Sequence, residues 1–268
     1  MSAPRAPGLD VPTVVAIGLV AYVLRNVAHE ALGHGGATLL VGGTPLGLSS
    51  AWWDGNFDAV SEWGRRWERA AGTFVNLGLG LALVPASRAA LGVHSRFFLW
   101  LLAVVNLFSG AGYLLTDPLG NFGDWSGFLE GLEPKGLLRA GLVASGAAFS
   151  MLALRFARQG LEPFLGGDPT ARRRRARWLC LAPYVAGSLA FTLAGLLNPL
   201  GPKFAVSSAL ASFGGTAFLA WLPSFVKGAP EGAPPAPELG RSVPWLAAGA
   251  LAAVILFGVL APGIRFQR

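Results

Sequence analysis

The chain carries a single cysteine, Cys180, in 268 residues. One thiol excludes an internal disulfide framework and any cysteine-rich metal site, and its place in an apolar run makes it a core residue. Charge is scarce as well: 13% of residues are charged, against about 25% in ordinary soluble domains, which argues against a water-soluble globule. Histidine is rarer still, with His29, His34 and His94 making up the set. Three are too few for a membrane di-iron oxygenase or desaturase. Acidic residues are outnumbered by basic ones, 14 to 21, for a net charge of +7 and a pI near 10.5. The arginines fall mostly in short connections between apolar runs, where they orient a chain in a membrane, so no nucleic-acid partner is expected. The opening "MSAPRAPGLD" is too short and polar for a signal peptide with a cleavage site, and the first apolar run is expected to be retained.

What the chain does have is apolar length: 53% of residues are hydrophobic, 37 are glycine, and mean hydropathy is +0.53. Apolar runs of about 20 residues match the length needed to cross a hydrocarbon core as a helix, and glycine lets such helices approach closely. Runs at 11–42, 69–90, 97–116, 136–157, 177–199, 204–226 and 243–263 predict an all-α, polytopic integral membrane bundle of six to seven transmembrane helices. The expected setting is a bilayer of the bacterial inner or plasma membrane type. The organisation reads as an N-terminal tail (1–10), a membrane core (11–130) and additional helices (131–268) joined by a basic loop, "ARRRRAR", and a proline-rich one, "APEGAPPAPELG". Basic residues predict a cytoplasmic face holding the N-terminus and the loops near 91, 165 and 234. The first run is too long for one simple span and is expected to tilt, to bend near Gly33, Gly35 and Gly36, or to re-enter the membrane. Residues 47–70 mix Trp52, Trp53, Trp63 and Trp67 with charges, which suits the headgroup layer as strand, interfacial helix or loop.

Inside the first run lies "AHEALGHGG", residues 28–36. Ionisable groups within a membrane are costly, so a cluster of them marks function. His29 and His34 are suitable ligands for zinc, and Glu30 beside them can take a proton from a metal-activated water. The familiar H-E-x-x-H spacing works because residues four apart lie only about 40° apart around a helix. Here the spacing is H-E-x-x-x-H, and five residues of regular α-helix separate two rings by about 140°. A π-bulge adds the one residue needed, and Gly33 makes it cheaper, so a bulge or helix end between His29 and His34 is predicted. Interhelical hydrogen bonding of the two histidines is the competing reading. Arg25, one turn earlier, is a candidate partner for Glu30, and His94 in "LGVHSR" reads as a solvated loop residue. Ser109 has no intramembrane histidine placed to activate it, which argues against a serine protease. Arg25, Glu30 and Arg69 would also suit an ion pathway, but no pair of broken helices in matching halves marks a transport site.

Three stretches in order, "AHEALGHGGATLLVGG", "RAAGTFVNLGLGLAL" and "NLFSGAGYLLTDPLGNFGDW", together resemble the site-2 protease family of membrane-embedded zinc metallopeptidases across residues 20–126. Family members carry H-E-x-x-H, then an A-G-P-x-x-N-like stretch, then an asparagine leading to LDG, whose aspartate is the third zinc ligand. This chain departs in the extra residue of the histidine motif, in Thr73 where the pattern has proline, and in lacking LDG. The resemblance implies Zn2+ held by His29, His34 and an aspartate, with Glu30 as catalytic base. Asp124, after Gly123 in an irregular stretch, is preferred as third ligand over Asp117. Asn76 and Asn106 would bind substrate backbone or stabilise the transition state; interhelical hydrogen bonding is their alternative. The implied function is a zinc-dependent membrane hydrolase acting on a transmembrane or membrane-proximal peptide. The alternative is a catalytically inactive relative that binds a membrane partner or lipid.

Overall fold

The computed structural model describes residues 8–89, 92–199, 201, 203–229 and 232–266; the expected N-terminal tail lies mostly outside them. Seven helices are long and apolar enough to cross a membrane: α1 (Val11–Leu40), α2 (Glu62–Arg88), α3 (Val93–Gly120), α5 (Lys135–Phe164), α6 (Thr170–Leu196), α7 (Lys203–Phe225) and α8 (Val243–Leu260). A six-residue helix, α4 (Gly123–Phe128), links α3 to α5. The spans fall on the expected apolar runs, but α5 continues to Phe164 rather than ending near 157, α6 begins at Thr170 rather than near 177, and α2 begins at Glu62 rather than near 69. Ser61 sets that start by accepting the Gly64 N–H at 3.1 Å, an N-cap that lies within the charged, tryptophan-bearing stretch. Asp10 starts α1 in the same way, accepting the Thr13 N–H at 3.0 Å, with Pro12 in the first turn.

α1 and α3 form the centre. Val14, Ile17, Ala21 and Tyr22 of α1 are fully buried, as are Phe97, Leu101, Val104 and Val105 of α3. α2 packs along α3 by small-to-large exchange: Leu107 seats on Gly80 and Leu77 on Gly110, so closely that a Cβ on either glycine would come within 2.7 Å of the leucine. The outer helices expose large apolar side chains instead, including Leu137, Met151 and Leu152 on α5, Leu193 and Leu196 on α6, and Leu251 and Val254 on α8. These exposed apolar side chains, on helices long and apolar enough to cross a membrane, are compatible with a multi-pass membrane protein.

The expected all-α bundle gains a small sheet. β1 (Thr44–Leu48) and β2 (Trp53–Asn56) form an antiparallel hairpin pairing Thr44 with Asn56 and Leu48 with Trp53. β3 (Ile264–Arg265), from the far end of the chain, pairs antiparallel with β1 through Gly47 and Leu48, giving the order β2-β1-β3. Trp53 ties the sheet to α1 by donating its Nε1–H to Thr38 Oγ1 at 2.8 Å, while the Thr38 hydroxyl donates to the His34 carbonyl at 2.8 Å.

Candidate metal centre

α1 is not α-helical throughout. From Ala28 to Gly35 it takes π form, the one-residue accommodation that H-E-x-x-x-H requires. With it, His29 and His34 turn to the same side, and their Nε2 atoms stand 3.2 Å apart. Asp124 from α4 completes a triangle: its Oδ2 is 3.3 Å from His29 Nε2 and 3.4 Å from His34 Nε2. These three residues can hold a metal ion.

Each donor is aimed by a partner behind it. His29 Nδ1 lies 2.7 Å from Asn76 Oδ1, and an amide oxygen only accepts, so the proton is on Nδ1 and the Nε2 lone pair faces the centre. Asn76 is itself fixed, its Nδ2 donating to Asn106 Oδ1 at 2.7 Å and to the Arg25 carbonyl at 3.3 Å, and Asn106 Nδ2 donates to the Leu102 carbonyl at 2.8 Å. Both asparagines are fully buried. The structure therefore places Asn76 and Asn106 behind His29, in the interhelical hydrogen-bonding arrangement that was their alternative. His34 is oriented likewise: Nδ1 donates to the Glu68 carbonyl at 2.9 Å, with Glu68 Oε1 at 3.2 Å. Three donor atoms thus converge, and their mutual repulsion is relieved by a positive charge among them, whether a metal ion or an added proton on an imidazole.

Close approach of α1 and α2 makes this possible. A Cβ on Gly33 would lie 2.5 Å from Gly72 Cα, and a Cβ on Gly72 would lie 2.5 Å from His29 Cε1. Both positions exclude any side chain. Tyr113 of α3 closes the opposite side, its ring stacked on His29 at 4.5 Å and 15°.

Asp124 is delivered by a short helix held at both ends. Asp117 Oδ2 accepts the Trp125 N–H at 3.3 Å, and Gly123 adopts φ +71° directly against the Asp117 carboxylate, a left-handed conformation suited to glycine. Asp117 thus supports the start of α4 and lies outside the group that could hold a metal, whereas Asp124 lies within it. At the other end, Arg66 Nε donates to the Phe128 carbonyl at 3.1 Å and Arg69 to the Gly127 carbonyl, cations at a helix C-terminus. Thr73, where the family pattern has proline, accepts the Trp125 Nε1–H at 3.0 Å, so the departure braces the same helix. Burial alone would raise the Asp124 carboxyl, but the His34 and His29 imidazoles outweigh it and hold that carboxyl well below the ordinary carboxylate range.

The centre opens on a cavity of about 360 Å³ whose lining includes Arg25, Glu30, Glu68, Tyr113 and, from α7, Ser208. Glu30 is buried there and forms no ion pair among the described residues. Arg25 does not pair with it: its Nη1 donates to Ser109 Oγ at 3.2 Å, and its guanidinium lies 5.8 Å from the Tyr22 ring and 5.6 Å from that of Phe191. The reading of His94 as a solvated loop residue is corrected: it sits in the first turn of α3, and its Nε2 is 2.8 Å from the Gly240 carbonyl, because the proline-rich connection folds back over that end. Glu68 and Tyr113 escaped the sequence reading. Glu68 lies in a charged, tryptophan-bearing stretch that reads as membrane surface, and Tyr113 is a lone aromatic in an apolar run. No family model matches the chain, and neither curated proteins nor solved structures give a match.

Proposed function

We propose that the chain is a metal-dependent hydrolase embedded in a membrane. Within that class we read it as a zinc peptidase of the site-2 protease type, cleaving a transmembrane or membrane-proximal peptide. The observation that carries this reading is the convergence of His29 Nε2, His34 Nε2 and Asp124 Oδ2 at 3.2–3.4 Å beside Glu30. Two imidazoles and a carboxylate with an open position form a catalytic zinc set. The spacing suits a tetrahedral ion with short bonds better than an octahedral one with bonds of the same length. Ligands about 2.0–2.1 Å from a tetrahedral ion are about 3.3–3.4 Å apart, whereas octahedral neighbours at such bond lengths are about 2.9 Å apart.

His29, His34 and Asp124 would hold the ion. Bound zinc supplies Lewis acidity, acidifying a water toward neutral pH and polarising a carbonyl. Glu30, on the same π turn as both histidines, accepts the proton of the attacking water on its carboxylate and returns it to the leaving amine. Asn76 and Glu68 keep both imidazoles in the tautomer that offers Nε2. Tyr113 shields His29 by stacking over its ring. The peptide enters locally unwound, since a regular helix keeps its carbonyls hydrogen-bonded. The bilayer is the chain's other partner, met by the exposed apolar sides of α5, α6 and α8.

The test is Glu30→Gln in the purified, zinc-loaded protein with a transmembrane peptide substrate. Turnover is expected to fall about 10²–10⁴-fold with zinc content unchanged. Full turnover with zinc still bound would refute Glu30 as the base.

A further inference from the structure

Five side chains lining the cavity bury a polar atom that has no protein partner: Arg25 Nε, Asn26 Oδ1, Ser50 Oγ, Trp52 Nε1 and Ser208 Oγ. They come from α1, from the turn between β1 and β2, and from α7. Arg25 stands out among them. It is 2% exposed, and no carboxylate lies within ion-pair distance of it among the described residues. Of the other buried arginines, Arg66 pairs with Glu62 and Arg172 with Glu162, while Arg175 donates to the Phe164 and Pro237 carbonyls. Glu30 faces the same cavity but beyond ion-pair distance, so the buried guanidinium keeps an Nε–H without an acceptor, which is costly, and three further orphans lining that cavity, Ser50, Trp52 and Ser208, are N–H or O–H donors.

We propose that Arg25 anchors an anion subsite that binds a carboxylate of the substrate. This rests on the peptidase reading and names its substrate class: peptides with a carboxylate close to the scissile bond. With Nη1 engaged by Ser109 Oγ, Nε is left without a partner, and the edge of a guanidinium that carries Nε matches a carboxylate in a bidentate pair. Ser50, Trp52 and Ser208 supply additional donors, and a carboxylate accepts up to four. Asn26 Oδ1 is the one orphaned acceptor of the set; its Nδ2 is held by the Ser50 carbonyl at 3.1 Å, leaving the oxygen for an amide N–H next to the carboxylate. A singly charged group suits the cavity better than a phosphate dianion, because Glu30, Glu68, Asp117 and Asp124 also line it. Arg25 and His29 are one helical turn apart on α1 and line the same cavity. The carboxylate therefore lies near the bond that is cut, as a chain terminus or as an Asp or Glu side chain.

The experiment titrates the detergent-purified full chain, zinc-loaded and chelator-stripped in parallel, with N-acetyl-Ala-Ala, its C-terminal amide and N-acetyl-Ala-Asp-amide, using calorimetry. At least one acid is expected to bind about ten-fold or more tighter than the neutral amide, and which acid does so separates a terminal from a side-chain carboxylate. Arg25→Gln should abolish that preference with zinc content unchanged, and Arg25→Lys, which keeps the charge but loses the fork, should retain only part of it. Equal affinities for all three peptides in the wild type, or an undiminished preference in either variant, would overturn the proposal. If Arg25→Gln fails to fold, the wild-type comparison and Arg25→Lys decide the matter alone. Because the stripped protein reports carboxylate binding without metal, failure of this subsite and failure of the zinc reading give different results.

Discussion

Asn76 Oδ1 receives the His29 Nδ1–H at 2.7 Å, and this one contact between α2 and α1 determines which nitrogen His29 turns to the cavity. Removing it frees the ring to rotate or change tautomer. Asn76→Ala is expected to weaken zinc binding about 10–100-fold, read by competition with a chromophoric chelator. An unchanged affinity would mean that the π turn alone orients His29.

Gly72 lies against the face of the His29 ring, with an added Cβ only 2.5 Å from Cε1. Gly72→Ala should displace the imidazole, lowering zinc affinity together with stability, the latter by about 1–3 kcal/mol as for other overpacked sites. Thermal unfolding and zinc content of the same preparation measure both. Gly36→Ala, where an added Cβ meets nothing within 4 Å, serves as the control and should leave both unchanged.

The two aspartates that compete in the sequence should separate by experiment. Asp124→Ala removes a donor and is expected to leave no stoichiometric zinc. Asp117→Ala removes the acceptor of the Trp125 N–H at the start of α4, a loss of about 1–3 kcal/mol, and should weaken zinc binding while leaving a measurable site. Equal loss in both variants would place Asp117 among the ligands.

Thr73 braces Trp125 through a 3.0 Å hydrogen bond. Thr73→Val keeps the shape but leaves the buried indole N–H unpaired, at a cost of about 1–3 kcal/mol. The expected outcome is a lower unfolding temperature with zinc stoichiometry preserved; loss of zinc would mean that α4 cannot hold Asp124 without this bond.

The parts of this arrangement that were legible in the sequence are those set by local spacing. Seven apolar runs correspond to seven helices, although α2, α5 and α6 extend past their runs into charged flanks, and the five-residue step from His29 to His34 required the π turn that α1 adopts, because a regular helix cannot bring those rings together. Asp124 was favoured from its glycine-rich setting, but its selection over Asp117 depends on α4, whose anchors Arg66, Arg69 and Thr73 belong to another helix. Glu68, Tyr113 and β3 gave no local signal. Their roles follow from how α2, α3 and the last residues of the chain come together around α1, which hydrophobic periodicity does not encode. Asn76 was recognised by its place in a motif, yet its function depends on which way its amide points, and that is a property of the packed bundle.

The most direct test is the metal content of the detergent-purified chain by mass spectrometry, with His34→Ala and Asp124→Ala alongside. One zinc per chain, absent from both variants, is the predicted result. A wild-type protein without stoichiometric metal after chelator-free purification, or variants that keep their zinc, would contradict the account.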